Sequence, residues 1–303
     1  MCSTKLSIDT NLKSEIREAT LKLAKGIGVR GLINIQFAVA QNGTDLQKLY
    51  VLEANPRASR TVPFVSKATG NPLAKSAALI ATGLRISELR TSGLLPKSGD
   101  GVANGISVKE AVLPWNRFRR IDGTGVDSVL GPEMRSTGEV MGIATTFGEA
   151  YAKSQSAAFG TLPLKGSVFL SLSERDKQSA LQPAKELAEL GFLLYTTQGT
   201  HDFLARSGVM TEIVRKHSQG RGEAGEPTAV DLITEGTVSL VINTPLGRGT
   251  RQDGWMIRTA AIQRSVPCIT TIAGFKAAVA GIRELQGKPF GILSIQEWLE
   301  VNE

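Results

Sequence analysis

Apolar positions change rhythm several times along the chain, and each rhythm predicts an element. Residues 11–25 set Leu12, Ile16, Ala19, Leu21 and Leu23 among charges at roughly helical spacing, with Gly26 as the expected stop. The chain therefore opens on an amphipathic helix. From Gly31 to Ala40 the pattern alternates, with Ile33, Ile35, Phe37 and Val39 on one side and Asn34, Gln36 and Ala38 on the other. The turn-rich QNGTD separates this run from a second, Leu46 to Ala54, and the two read as an antiparallel hairpin. An Ala-rich helix over 73–82 closes at Gly83, residues 93–105 read as loop, and 108–114 as strand.

Residues 147–158 read as helix, and FGTLPLKG at 159–166 carries the Gly and Pro punctuation of a linker, which places a domain boundary there. Beyond it, short apolar runs alternate with helices. SVFLSL precedes a helix near 178–190, then come FLLYT, HDFLARSG and a helix at 229–236. VSLVIN follows, then a helix near 253–264, PCIT, a helix at 274–285, and a last amphipathic helix at 294–301. Such alternation predicts a parallel sheet wrapped on both faces. The expected fold class is α/β, with domains at 1–158 and 166–303, the second doubly wound.

Composition narrows the partners. The 303 residues suffice for two domains, and 41% hydrophobic with 21% charged residues excludes wholesale disorder and coiled coil. Thirty-five Lys and Arg against 28 Asp and Glu leave a net charge of +7, which invites anions. Basic and aromatic residues never interleave as a single-strand groove requires, so small phosphorylated anions are expected rather than nucleic acid. Cys2 and Cys268 match no metal-ligand spacing, so neither zinc nor a disulfide framework is expected, and a reducing cytoplasm fits. The N-terminal stretch has no apolar signal region and no apolar run approaches the ~20 residues of a spanning helix. Neither export nor a membrane partner is expected.

Two sets of residues carry candidate chemistry. Glu53 and Asn55 lie two apart at the end of a strand and project to one face, and a hairpin brings Gln36 to them. Amide oxygens and a carboxylate are hard ligands of the kind a divalent cation takes alongside phosphate and water. Directly after them, Arg57 and Arg60 in NPRASR offer planar forks for phosphoryl oxygens. The plainer reading pairs Glu53 with Arg57 and lets Asn55 start a turn before Pro56.

In the second half, hydroxyls, amides and cations fall at strand ends, where open α/β sheets bind ligands. Thr197 and Thr200 follow FLLYT, with Thr200 expected to cap a helix beginning near His201. Asn243 and Thr244 end VSLVIN, Ser171 and Lys177 flank the end of SVFLSL, and Lys216 lies in the loop IVRKHSQGRG. Together they describe a phosphate pocket; the plainer reading makes Thr200 a cap only and leaves the lysines solvated. His201 and His217 have no triad partner and are not needed as bases.

Residues 31–70, GLINIQFAVA through VLEANPRASRTVPFVSKATG, resemble the C-terminal part of an ATP-grasp domain, specifically in the second synthetase half of the carbamoyl phosphate synthetase large subunit. LGPEMRSTGEVMG at 130–142 extends the likeness; Arg135 and Glu139 within it receive no role beyond a salt-bridged loop. The resemblance implies that Gln36, Glu53 and Asn55 hold Mg2+ or Mn2+ bridging the phosphates of ATP, the substrate. It further implies that Arg57 also binds ATP, and that Arg57 and Arg60 are catalytic in phosphorylating carbamate to carbamoyl phosphate. Residues 166–300 resemble the methylglyoxal-synthase-like domain of the same family. There the positions of Lys177, Thr197, Thr200, Lys216 and Asn243 surround the phosphate of UMP or IMP, Thr244 joins that pocket, and Ser171 belongs to a nearby ornithine site. Pro245 replaces a family Thr, and an insertion around 221–227 lengthens the pocket loop.

No acid stands next to Asn243, which favours regulation over lyase chemistry. The implied partners are the rest of the large subunit, a glutaminase small subunit and a nucleotide effector. The family's phosphate lid and first synthetase half are not in this sequence, so the chain is expected to be inactive alone. A stand-alone nucleotide-binding regulatory module is the alternative, and a methylglyoxal-synthase-type lyase a distant third.

Overall fold

A computed structural model describes residues 8–41, 47–99, 101, 105–117, 127–131, 133–245 and 252–301. They form two compact units, the larger spanning Gly105–Ile292 and the smaller combining the described residues before it with those from Leu293 onward.

In the smaller unit, α1 (Thr10–Ile27) starts at Asp9, whose carboxylate accepts from the Leu12 N–H at 2.7 Å, and ends on Gly28 at φ 73. The expected stop at Gly26 comes too early: Gly26 stays helical, and only Gly28 takes the left-handed conformation that closes the helix. The expected hairpin forms from β1 (Asn34–Gln41) and β2 (Gln47–Asn55), paired antiparallel. Its turn at 42–46 lies outside the described residues. Pairing runs regularly up to Phe37 opposite Val51, then slips so that Gln36 faces Glu53. Leu52 is the extra residue, a β-bulge 63% exposed. Next come α2 (Thr61–Thr69), α3 (Leu73–Ala81) and α4 (Ile86–Thr91). Pro63 disguised α2 in the sequence, yet it stands in the first turn, where its missing N–H breaks no intrahelical bond.

The larger unit begins with an antiparallel pair, β3 (Ile106–Val112) and β4 (Gly138–Ala144), followed by α5 (Phe147–Ala158). β4 was not foreseen. Glycines set the close approaches here. A Cβ on Gly142 of β4 would fall 1.9 Å from the Ala150 carbonyl oxygen, and one on Gly148 would fall 2.5 Å from that of Ala280.

Then the expected alternation appears: β5 (Ser167–Ser171), α6 (Lys177–Glu189), β6 (Leu193–Thr196), α7 (Gln198–Arg206), β7 (Glu212–Ile213), α8 (Ala229–Thr234), β8 (Leu240–Asn243), α9 (Gln252–Gln263), β9 (Cys268–Ile269) and α10 (Ile272–Gly287). The sheet order is β7-β6-β5-β8-β9, all parallel. Alternate residues of its central strands feed two cores. Val168, Leu170, Leu240 and Ile242 join residues of α5, α6 and α10, whereas Phe169 and Val241 join Ile233 of α8 with Ile257 and Ala261 of α9. Each such large apolar side chain contributes about 1.5–3 kcal/mol on burial.

The compact division differs from the punctuation at 159–166. Val108, Ala144, Ala150, Tyr151 and Ala152 share one core with the parallel sheet, so residues 105–158 fold with the larger unit. The helix expected at 294–301 forms as α11 (Ile295–Val301), but it belongs to the smaller unit. Ser294 and Glu297 cap it reciprocally at 2.7 and 3.1 Å, Trp298 is buried, and a Cβ on Gly70 would lie 3.4 Å from Leu299. Among the described residues no helix is long and apolar enough to cross a membrane.

Candidate functional site

On the smaller unit, Gln36 lies directly across from Glu53, and Asn34 across from Asn55. Directly opposed residues share a face, as do residues two apart, so Gln36, Glu53 and Asn55 occupy one side of the hairpin. All sit where water reaches, Gln36 and Glu53 exposed and Asn55 half-buried. Among the described residues the Glu53 carboxylate has no ion pair, and Arg57 donates instead to the Ala58 carbonyl at 3.0 Å. The Glu53–Arg57 pair of the plainer reading is therefore not formed. The turn of that reading is: the Arg57 N–H donates to the Asn55 carbonyl at 2.8 Å. Arg60 follows at the N-cap of α2. The donor set, two amide oxygens and an uncommitted carboxylate on one open face, fits a hard divalent cation. No group of three His, Cys, Asp or Glu among the described residues offers another metal site.

On the larger unit, Ser171, Lys177, Thr197, Thr200, Lys216, Asn243 and Thr244 all line one cavity of about 220 Å3. It opens at the carboxyl ends of β5 and β8, where Ser171 pairs with Asn243 and the sheet's winding direction reverses. The helix after β6 starts at Gln198 with Thr197 as its N-cap, not at His201 with Thr200. Thr200 is instead inside the first turn, its hydroxyl oxygen accepting from the Leu172 N–H at 3.2 Å and from the Thr197 hydroxyl at 3.4 Å. Thr244 likewise accepts from the Ser173 N–H at 2.8 Å. These threonines brace the loop after β5.

The cations differ. Lys177 is largely covered and pairs with the exposed Glu174 at 2.6 Å, so it is not simply solvated, while Lys216 is exposed with no ion pair among the described residues. The Lys216 loop is pinned by Ser218, whose N–H and hydroxyl donate to the Asp253 carboxylate at 2.7 and 2.8 Å. His201 meets the Thr211 hydroxyl at 2.7 Å, and His217 sits in a short turn at 217–219.

Sequence reasoning missed Arg258, which also borders this cavity and is only 4% exposed. Its Nη1 donates to Asn243 Oδ1 at 2.6 Å, and its Nε and Nη2 grip Asp127 at 2.6 and 2.5 Å. Burial alone would raise the Asp127 carboxyl, but the Arg258 hydrogen bonds and charge, with the Val129 N–H, hold it below its ordinary value. An arginine inside an otherwise apolar helix face, between Ile257 and Ala260, was the available signal. A second cavity of about 560 Å3, also unforeseen, is lined by β3, Trp115, Ser128, Leu130 and the β9–α10 loop. Glu110 on its wall is raised by burial despite donors from Ser154 and Gln155, and burial pushes the Cys268 thiol up to about 12. A thiol held that high carries little thiolate at neutral pH.

Residues 4–89 match the family model described as the carbamoyl-phosphate synthase L chain, ATP binding domain, and residues 179–270 match the MGS-like domain. The chain is 57% identical over 289 residues to the carbamoyl phosphate synthase large chain of Streptomyces avermitilis, a match covering 94% of this chain and 26% of that one. The sequence belongs with carbamoyl phosphate synthase large chains. The large chain of Streptomyces coelicolor is 58% identical over 286 residues, covering 93% of this chain and 26% of its own length. That of Mycobacterium tuberculosis is 53% identical over 291 residues, covering 94% and 26%. This chain thus spans about a quarter of the length of the relatives it matches. The segments NPRASR and GPEMRSTGEVMG fall in different compact units, and in the latter Glu139 lies in β4 rather than a loop and pairs with Lys109 of β3 at 3.3 Å.

Proposed function

We propose that the smaller unit supplies the metal- and phosphate-binding edge of an ATP-dependent carbamate-phosphorylating centre, and that the larger unit is an effector-binding domain for UMP or IMP. The observation that carries the first part is the cross-strand pairing of Gln36 with Glu53, with Asn55 on the same face. Gln36, Glu53 and Asn55 would hold Mg2+ or Mn2+, which when bound neutralises phosphoryl oxygens of ATP. Arg57 and Arg60 follow within one turn and offer two-point contacts to the transferring phosphoryl group. The partners in this reading are the remainder of a large chain and a glutaminase small subunit.

The effector reading is supported by seven sequence-chosen residues lining one cavity, two of them cations, with Lys177 Nζ 3.7 Å from where a Cβ on Gly199 in the first turn of α7 would lie. A lyase is disfavoured because Asp253, the carboxylate bordering the small cavity, has both oxygens committed to Ser218. A stand-alone regulatory module is the second reading, favoured by the cavity's completeness within one unit.

Measuring ADP release from ATP and carbamate separates the two. No release from the purified chain, with release restored by adding the preceding part of a large chain, supports the synthase reading. Binding of UMP with no release under either condition supports the module.

A further inference from the structure

Asparagine presents one acceptor and one donor from nearly superposable positions, so a buried asparagine at an anion site is useful only if something decides which way it points. Asn243 is 4% exposed, borders the small cavity, and has Oδ1 taken by Arg258 Nη1 at 2.6 Å. Arginine has donors only, so it holds the amide oxygen against itself and leaves Nδ2 as the group free to meet a ligand. Nδ2 has no hydrogen-bond partner among the described residues. Arg258 cannot turn away, because Asp127 grips its Nε and Nη2 at 2.6 and 2.5 Å. The same pairing offsets its charge, which leaves Lys216, without an ion pair among the described residues, and Lys177, paired only with the exposed Glu174, as the cations on the wall. Asp253, the carboxylate on the cavity wall, is occupied by Ser218.

We propose that Arg258, fixed by Asp127, is a positioning residue that locks the Asn243 amide with its N–H2 toward the cavity and so makes the pocket selective for anionic oxygen. Arg258 acts through Asn243 rather than by contributing charge. The inference rests on the effector-pocket reading above and deepens it by naming what sets the polarity of that site.

A double-mutant cycle on the full chain tests it, with inorganic phosphate and UMP as titrants and calorimetry as the readout. Removing Arg258 alone would strand a buried carboxylate and endanger folding, so the substitution is the charge-neutral pair Asp127→Asn with Arg258→Met. Net charge is unchanged by that pair, so a lost affinity reports orientation and not potential. We expect the pair to weaken phosphate and UMP binding about tenfold, the worth of one charge-assisted hydrogen bond. In the Asn243→Ala background the same pair should change affinity less than about twofold. Asp127→Asn with Arg258→Gln, which retains an N–H2 donor for Asn243 Oδ1, should recover most of the loss.

Equal losses with and without Asn243 would overturn the proposal while leaving the pocket reading intact. A parent chain that binds neither titrant overturns both. If the methionine pair does not fold, Asp127→Asn with Arg258→Leu, which likewise leaves no donor for Asn243 Oδ1, carries the same cycle, and equal losses with and without Asn243 are equally decisive against the proposal.

Discussion

The two candidate sites are built on opposite principles. On the β1–β2 face, Gln36 and Glu53 stand exposed, opposed across a hairpin, and the Glu53 carboxylate has no partner among the described residues. Around the cavity of the larger unit several polar side chains are already held in place: Thr200 by Leu172, Thr244 by Ser173, Asn243 Oδ1 by Arg258, Asp253 by Ser218. A prearranged pocket spends little free energy on ordering when its ligand arrives, whereas an open face gains strength only when other groups complete the ligand shell. Regulation can therefore reside in one unit, while chemistry at the other calls for additional structure.

Four experiments put pressure on that contrast. The largest effect is expected from Glu53→Gln placed in a complete synthase, where phosphoryl transfer should fall by about 10²-fold or more with UMP affinity unchanged. A concurrent loss of UMP binding, seen by titration, would erase the division of labour. Lys216→Ala should weaken UMP binding about tenfold, the lower end for a charge-assisted contact because Lys216 is exposed and screened, and should leave the unregulated rate intact. Unaltered inhibition by UMP would move the pocket elsewhere.

A third substitution addresses how the pocket is supported. Gly142→Ala drives a methyl into the Ala150 carbonyl, where the Cβ would lie 1.9 Å from the oxygen, and should destabilise the larger unit by about 1–3 kcal/mol in denaturant unfolding. A neutral result would mean that β4 is not pressed against α5 in solution.

The smallest effect concerns pH. Asp127 is held below its ordinary 3.8, so its contribution is present above 3.8 and is lost as pH falls through its lower folded value. Glu110 is raised above its ordinary 4.5, so its ionisation takes stability away as pH rises past 4.5. The two slopes oppose each other. Unfolding midpoints across this range should lose the acid-side fall in the charge-neutral pair Asp127→Asn with Arg258→Met and the higher-pH decline in Glu110→Gln; identical profiles for all three proteins would remove the electrostatic argument for both residues.

Much of this architecture was legible in residue order because the features are local. Strand–helix alternation showed the parallel sheet, and polar residues at or after strand ends picked out seven of the residues that line the cavity without any knowledge of pairing. What escaped detection depends on distance. Arg258 meets Asn243 and Asp127 across 15 and 131 residues, separations at which no spacing rule operates. Residues 105–158 read as part of the first domain because Gly142 and Gly148 reveal their close packing only in three dimensions. α2 was hidden by Pro63, a helix breaker anywhere except the first turn it occupies. The bulge at Leu52 explains why VLE places three non-alternating residues in a strand that nonetheless keeps Glu53 opposite Gln36.

The reversal of winding between β5 and β8 has a mechanical consequence. Chain from 167 to 216 leads one way from the centre of the sheet and chain from 240 to 269 leads the other, so a molecule seated over Ser171 and Asn243 is grasped by both. Such a ligand is a clasp across a seam. At a concentration one hundred times its dissociation constant it would add about 2.7 kcal/mol against unravelling. Amides of β5 and β8 should then exchange with deuterium more slowly together, as neighbouring teeth of one zip.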